Sequence, residues 1–138
     1  MLENYLKDLE ELVNVDCGTG NPAGVTFCAE VMKRHFESIG FTAELVKFTD
    51  EYGCGLFATN KPGAERYDIL MNAHLDTVFP DGTAAARPMS RVGGNIMGPG
   101  CSDCKSGVLA IFYAIKNLPA DVRDRLAIAV AFNPEEET

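Results

Sequence analysis

The sequence predicts an α/β fold in which layered helices pack on a mixed β-sheet. Two segments with helical spacing of apolar residues occupy the first 40 positions. Short apolar or alternating segments, which are typical of strands, follow up to residue 132 and enclose one strongly apolar segment of helical length. Helices followed by strands that alternate with a buried helix indicate layers of helix on sheet. No repeat or linker divides the chain, so we expect residues 1–138 to form one domain.

Two helices are predicted at the start of the chain. Apolar side chains recur at helical spacing over residues 2–15, which predicts an amphipathic helix. The segment DCGTGNP (16–22) then interrupts it, and its two glycines could form an anion-binding nest. A second helix is expected to begin at Pro22, with Asn21 as its N-cap, and to end at Gly40.

The remainder of the chain predicts short strands around one buried helix. The predicted strands cover residues 41–48, 54–59, 67–74 and 125–132, with a hairpin over residues 87–100 that turns at Gly93 and Gly94. The continuous apolar centre of residues 67–74 predicts a strand that is covered on both faces, and we expect the same of residues 125–132. Residues 106–119 are apolar nearly all round, which predicts a buried helix that ends at a proline.

Composition and charge exclude several classes of protein. The chain is 46% hydrophobic, enough for a real core, and its formal net charge is −8. An acidic surface opposes binding to nucleic acid or to an anionic membrane. The acidic, amphipathic N-terminal segment does not resemble a signal peptide, and no segment approaches the roughly 20 apolar residues of a membrane span. Five cysteines without a secretory signal predict reduced thiols and a cytoplasmic location.

Imidazole and carboxylate side chains follow the predicted strands at three places. His74 and Asp76 come at the end of residues 67–74, Asp103 precedes the buried helix, and Glu135–Glu137 follow the last strand. Each piece alone has an ordinary explanation, as a surface pair, a helix N-cap or a solvated acidic face. Ligands collect at the carboxyl ends of strands in α/β sheets, and charge at the end of a buried strand needs compensation. We therefore expect these side chains to converge on zinc or a similar divalent ion.

A CxxC motif, Cys101 to Cys104, offers a competing site. Such a motif can be half of a zinc site or a redox pair. The chain has no second CxxC and no suitably spaced pair of histidines, which argues against a structural zinc finger. The other histidine, His35, lies on the polar side of the second predicted helix, where we expect it to be solvated.

Three motifs resemble, in order and spacing, those of the M20 metallopeptidases. They are HLDTV (74–78), GPGCSDCKSG (98–107) and NPEEE (133–137). That family includes glutamate carboxypeptidase, acetylornithine deacetylase, succinyl-diaminopimelate desuccinylase and peptidase T. Residues 12–25 and 74–89 look closest to the glutamate-carboxypeptidase-like branch. The resemblance spans essentially the whole chain and implies a di-zinc exopeptidase-like catalytic domain.

The resemblance implies a role for each of five residues. His74 and Glu137 would ligate zinc, and Asp103 would bridge two zinc ions. Asp76 would orient the ring of His74, and Glu136 would be the general base. Cobalt or manganese could replace zinc, because nitrogen and oxygen ligands accept all three metals.

The resemblance also implies that residues 1–138 are only the N-terminal part of a catalytic domain. Members of the family are longer: they add an acidic ligand, a late histidine ligand and a lid domain that mediates dimerisation. The full-length parent is then expected to be a homodimer that hydrolyses an amide bond in a small peptide or an N-acyl amino acid. This fragment alone is expected to be inactive. Two alternatives stay open: a non-catalytic α/β module used for assembly, and a thiol or metal-binding protein built on the CxxC motif.

Overall fold

The computed structural model describes all 138 residues and confirms the α/β fold with a mixed sheet. The helices are α1 (Leu2–Val13), α2 (Pro22–Ser38), α3 (Thr83–Ala86), α4 (Ser106–Lys116) and α5 (Ala120–Arg125). The strands are β1 (Thr42–Val46), β2 (Gly55–Thr59), β3 (Ile69–His74), β4 (Ser90–Val92), β5 (Asn95–Met97) and β6 (Ile128–Asn133). A kinked turn, Cys101–Lys105, precedes α4; the N–H of Lys105 closes it on the backbone oxygen of Gly100 at 3.0 Å, and Asp103 and Cys104 have non-helical backbone angles. No helix combines the length and the apolar character that crossing a membrane would require.

Four strands form the main sheet in the order β1-β2-β6-β3. β1 pairs antiparallel with β2, β2 pairs antiparallel with β6, and β6 pairs parallel with β3. β4 and β5 form the predicted separate hairpin, which turns at Gly93 and Gly94. Both glycines have a positive φ, 57° and 86°, as a tight hairpin turn requires. The parallel pair matters most for the site, because β3 and β6 end at the same edge of the sheet.

The hydrophobic core lies between the sheet and the helices α1, α2 and α4. Helix α2 packs on β1 and β2, α4 packs on β3, and α1 packs on α4. Three fully buried aromatic rings meet at the centre. The ring centroid of Phe36 in α2 lies 5.5 Å from that of Phe112 in α4 and 6.0 Å from that of Phe132 in β6. Burying such rings supplies much of the stability of a domain of this size. The core therefore holds β6, and with it the chain that leads into the glutamates, in a fixed position.

The prediction that residues 67–74 are covered on both faces is wrong. β3 is an edge strand, and Leu70 is 64% exposed while Asn72 beside it is also exposed. Met71 and Ala73 pack against the core, so the strand alternates as a half-covered strand does. The apolar run in the sequence could not distinguish a central strand from an edge strand with one uncovered face. For β6 the prediction is confirmed, because Ile128, Ala129 and Val130 are all fully buried.

The position of His35 also differs from the prediction. Its ring packs 4.8 Å from that of Phe112, and its side chain is only 20% exposed. Burial lowers the pKa of His35, although the nearby Asp8 and Glu11 act in the opposite direction. The sequence placed His35 on the polar side of α2 but could not show that α4 packs against that side. Two short helices, α3 and α5, had no periodic signal and were not predicted.

Candidate metal centre

The ends of β3 and β6 bring the imidazole and the glutamates to one edge of the sheet. His74 is the last residue of β3 and pairs in register with Asn133, the last residue of β6. The chain leaves β6 through Pro134 and reaches Glu136 and Glu137 within a few residues. Asp103 lies in the kinked turn before α4. The parallel register of two strands therefore brings together residues that are more than 60 positions apart in the sequence.

The two nitrogens of the His74 ring have different surroundings. On the open side, Nε2 lies 3.0 Å from Oδ1 of Asp103 and 4.0 Å from Oε2 of Glu136. On the buried side, Nδ1 lies 3.2 Å from Oδ1 and 3.1 Å from the backbone oxygen of Asp76. A histidine that binds a metal almost always has its other ring nitrogen held by a carboxylate or carbonyl, which fixes its tautomer. His74 is arranged in this way, with Nε2 directed to the acidic cluster.

The protonation of His74 reflects the surrounding carboxylates. Desolvation alone would lower its pKa, but the hydrogen bond to Asp103 and the charge of Asp76 outweigh it, and the pKa is raised above 6.5. In its protonated form, His74 compensates part of the local negative charge. A cation at Nε2 would take over that function.

Asp76 is the most buried charged residue of the site and connects three segments. Its side chain is fully buried and receives the Nδ1 side of His74. Its carboxylate also accepts hydrogen bonds from the backbone N–H groups of Glu136, at 3.0 and 3.1 Å, and Glu137, at 3.2 Å. The hydroxyl of Thr19 donates a further bond of 2.7 Å. The expected contact of Asp76 with His74 is present, and Asp76 additionally holds the glutamate segment.

Sequence reasoning missed Thr19. It lies in the glycine-containing loop between α1 and α2, next to Gly18, whose backbone forms a parallel β-bridge with Thr77. A Cβ on Gly18 would lie 2.5 Å from the backbone oxygen of Phe79, so only glycine permits this close approach. The two glycines were the available signal, but nothing in the sequence showed that their loop pairs with the segment around Asp76.

No lysine or arginine forms an ion pair with the carboxylates of the site. The side chain of Asp103 is 76% exposed and that of Glu136 is 57% exposed. Desolvation and then the charge of Asp103 raise the pKa of Glu137. The lysine nearest in sequence, Lys105, is turned into the interior, where Nζ donates to the backbone oxygens of Leu12 and Val15. All ion pairs formed by lysines and arginines lie elsewhere.

Two groups of donor atoms are compact enough for a divalent cation; both include His74, but Asp103 and Glu137 fall in different groups. The candidate ligand atoms of His74, Glu136 and Glu137 all lie within 4.8 Å of one another, and so do those of His74, Asp103 and Cys104. One imidazole nitrogen with several carboxylate oxygens is a donor set that suits zinc, cobalt or manganese. A cleft of about 330 Å³, lined in part by Asp103, Glu137 and Phe79, opens beside these groups.

The two cysteines of the CxxC motif have different surroundings. The Sγ of Cys104 donates to the backbone oxygen of His74 at 3.1 Å and accepts from its N–H at 3.4 Å. Cys101 belongs to neither group of candidate ligands. Burial raises the pKa of both thiols, whereas redox-active cysteines have lowered values. This environment disfavours the redox interpretation of the motif.

An α/β sheet that presents an imidazole and several carboxylates at the ends of two parallel strands is typical of metal-dependent hydrolases. Comparison with known proteins is consistent with that class and names the family. The model of Peptidase family M20/M25/M40 matches residues 70–138, half of the chain. The chain belongs to this family, as the three motifs predicted.

Curated relatives agree with this assignment. Carboxypeptidase G2 of Pseudomonas sp. (strain RS-16) is 32% identical over 133 residues, which cover 96% of this chain and 32% of the relative. Succinyl-diaminopimelate desuccinylase of Caulobacter sp. (strain K31) is 30% identical over 111 residues, which cover 77% of this chain and 27% of the relative. The chain thus spans about a third, or less, of the length of these relatives.

Solved structures confirm the fold. Human carnosine dipeptidase 1 superposes with a TM-score of 0.78 at 16% identity, over 96% of this chain and 32% of that structure. The M20 family metallo-carboxypeptidase Sso-CP2 from Sulfolobus solfataricus has a TM-score of 0.76 at 23% identity, over 96% of this chain and 31% of that structure. At these identities the similarity concerns the fold alone.

Proposed function

We propose that this chain forms part of the active site of a zinc-dependent hydrolase that cleaves an amide bond in a small peptide or an N-acyl amino acid. One observation carries the proposal: His74 directs Nε2 at Asp103 while Asp76 holds Nδ1. Membership of a peptidase family supports it. One relative is named a carboxypeptidase and another a desuccinylase, which is why both peptide and N-acyl substrates enter the proposal.

Three residues would hold the metal in this proposal. Nε2 of His74 and the carboxylate of Glu137 would ligate zinc, and Asp103 would bridge to a second ion. Cobalt or manganese could occupy the same ligands. A bound zinc ion would supply Lewis acidity and would lower the pKa of a coordinated water to about 7.

Glu136 is the proposed general base. Its carboxylate is more than half exposed and lies beside the imidazole, while its backbone N–H is anchored on Asp76. A carboxylate so placed can accept a proton from water and later donate it to the leaving nitrogen of the amide. Asp76 contributes indirectly, because it holds both the ring of His74 and the segment of Glu136.

We further propose that the chain by itself binds metal but does not hydrolyse substrate. The site contains a single imidazole, that of His74. The 133 residues matched to carboxypeptidase G2 cover only 32% of that relative. A full-length homodimer and a cytoplasmic location stay predictions of the same proposal.

A second candidate function is binding of a metal by a thiol. It is favoured by the position of Cys104, whose Sγ lies within reach of His74 and Asp103. In that case a cysteine, rather than Glu137, would complete the site. The third candidate, an assembly module, is favoured only by the exposed face of β3 around Leu70.

Isothermal titration calorimetry with zinc distinguishes these candidates. We expect the wild-type chain to bind zinc and Asp103→Ala to lose most of that affinity, while Cys101→Ala retains it as a matched control from the same turn. Loss in Cys104→Ala with retention in Glu137→Gln would favour the thiol site instead. No zinc binding by the wild-type chain would contradict the metal-dependent proposal.

A further inference from the structure

We propose that Thr19 is a positioning residue, whose hydroxyl fixes the orientation of the Asp76 carboxylate and through it the metal ligands. The inference rests on the proposed function and deepens it, because it adds a residue outside the three family motifs. Thr19 would touch neither metal nor substrate.

Hydrogen bonds to Leu75 and Thr77, the two neighbours of Asp76, direct the hydroxyl of Thr19 at the Asp76 carboxylate. The N–H of Thr19 donates to the backbone oxygen of Thr77 at 3.2 Å, and the N–H of Thr77 donates to the backbone oxygen of Cys17 at 2.9 Å. The Sγ of Cys17 in turn donates to the backbone oxygen of Leu75. This pairing leaves Oγ1 of Thr19 at 2.7 Å from Oδ2 of Asp76. Thr19 is only 8% exposed, so solvent has little access to this bond.

The two oxygens of Asp76 divide their partners. Oδ1 faces Nδ1 of His74, and Oδ2 accepts from Thr19 and from the N–H of Glu137. The N–H of Glu136 lies between the two oxygens. A carboxylate can rotate about its Cβ–Cγ bond, and a strong donor on one oxygen opposes that rotation. Thr19 therefore keeps Oδ1 on the imidazole and Oδ2 on the glutamate segment.

Without the Thr19 hydroxyl, the Asp76 carboxylate would lose one hydrogen-bond donor. Water has little access to that position to take its place. Asp76 is 1% exposed, and its remaining partners are the ring of His74 and the backbone N–H groups of Glu136 and Glu137. Groups that orient a metal ligand through a hydrogen bond typically contribute 10- to 100-fold to metal affinity or activity. Thr19 contacts the metal ligand His74 only through Asp76, one hydrogen bond further away. We therefore expect a loss near the lower limit of that range, about tenfold.

The test compares variants that separate the hydroxyl from the packing. Thr19→Val keeps the branched shape and removes the hydroxyl, whereas Thr19→Ser keeps the hydroxyl and removes a methyl group. Thr59→Val is the matched control. Thr59, at the end of β2, is also buried, and its hydroxyl donates to the backbone oxygen of Ile128 at 2.8 Å. The readouts are zinc affinity by calorimetry and the backbone amide NMR signals of Glu136 and Glu137 without metal.

We expect Thr19→Val to bind zinc about tenfold more weakly and to shift both amide signals, with Thr19→Ser and Thr59→Val close to wild type in both. Thr19→Ala should behave as Thr19→Val and replaces it if the valine variant does not fold. Wild-type affinity and unshifted amides in Thr19→Val would overturn the inference. If the wild-type chain binds no zinc, the proposed function fails, and the amide signals alone then decide the role of Thr19.

Discussion

The backbone N–H of Glu136 donates to both carboxylate oxygens of Asp76, at 3.1 and 3.0 Å. The two residues are 60 positions apart and follow different strands of the sheet. Since the same carboxylate also faces Nδ1 of His74, one buried charge sets the positions of the candidate ligand and of the candidate base. Disturbing Asp76 should therefore affect both residues together.

Asp76→Asn should weaken zinc binding by about 10- to 100-fold. The NH2 group that replaces one carboxylate oxygen donates hydrogen bonds instead of accepting them. The groups that face it, the Thr19 hydroxyl, the N–H of Glu136 and the ring of His74, would lose their acceptor. Leaving such buried groups without partners also costs about 1–3 kcal/mol of stability. Calorimetry with zinc and urea unfolding measure the two effects.

Asp68→Asn is the control for that variant. Asp68 accepts the backbone N–H of Ala127 at 2.8 Å, so its substitution also disturbs a carboxylate that holds the sheet. It precedes β3, at the opposite end of the strand from His74. It should reduce stability without changing zinc affinity. Equal losses of zinc affinity in both variants would mean that Asp76 acts only through overall stability.

The two histidines should titrate on opposite sides of pH 6.5 in the metal-free chain. Carboxylates raise the pKa of His74, and burial lowers that of His35. A raised folded pKa stabilises the fold below the unfolded value, and that contribution disappears as the pH rises through the folded pKa. For His35 the sign is opposite: its lowered pKa makes protonation destabilising as the pH falls. Chemical shifts of the ring protons against pH measure both values, and the reverse order would contradict the described surroundings.

Zinc affinity should rise with pH across the titration of His74. The metal needs the neutral imidazole, so binding displaces a proton while His74 is charged. Because the pKa of His74 is raised, the rise should be centred above pH 6.5. Calorimetry at several pH values measures it. A flat profile between pH 6 and 8 would exclude His74 as the ligand.

The sequence predicted those parts of the fold and site that depend on local pattern. The helix N-cap at Asn21 is present, since its side chain accepts from the N–H of Gly24. His74, Asp103 and Glu137 were predicted as site residues because each lies in a recognisable local motif. The edge position of β3, the packing of His35 and the contact of Thr19 were not found, because each depends on which segments become neighbours after folding. Periodicity describes a segment, whereas these features belong to pairs of segments.

Leu70→Lys should reduce self-association of the chain. Leu70 is 64% exposed on an edge strand, where unpaired backbone groups and apolar surface invite pairing with another molecule. Stability should change by no more than about 0.5 kcal/mol, as is usual for surface positions. Sedimentation velocity at increasing concentration measures association. Val92→Lys, at a residue 60% exposed in the separate hairpin, is the control, and an equal effect there would implicate net charge rather than the β3 edge.

Gly18→Ala should destabilise the chain, whereas Gly20→Ala in the same loop should not. A Cβ on Gly18 would lie 2.5 Å from the backbone oxygen of Phe79, and that contact forces the loop away from Thr77. Forced contacts of this kind typically cost about 1–3 kcal/mol. Gly20 is exposed and has nothing within 4 Å of the same position, so alanine fits there. Urea unfolding measures the difference between the two variants.

Zinc affinity should fall together with stability in Gly18→Ala, because moving the loop also moves the hydroxyl of Thr19 away from Asp76. Calorimetry on the folded variant, at a temperature well below its unfolding midpoint, separates this effect from simple loss of folded protein. A variant that is less stable but binds zinc as tightly as Gly20→Ala would mean that the loop supports the fold without supporting the metal centre.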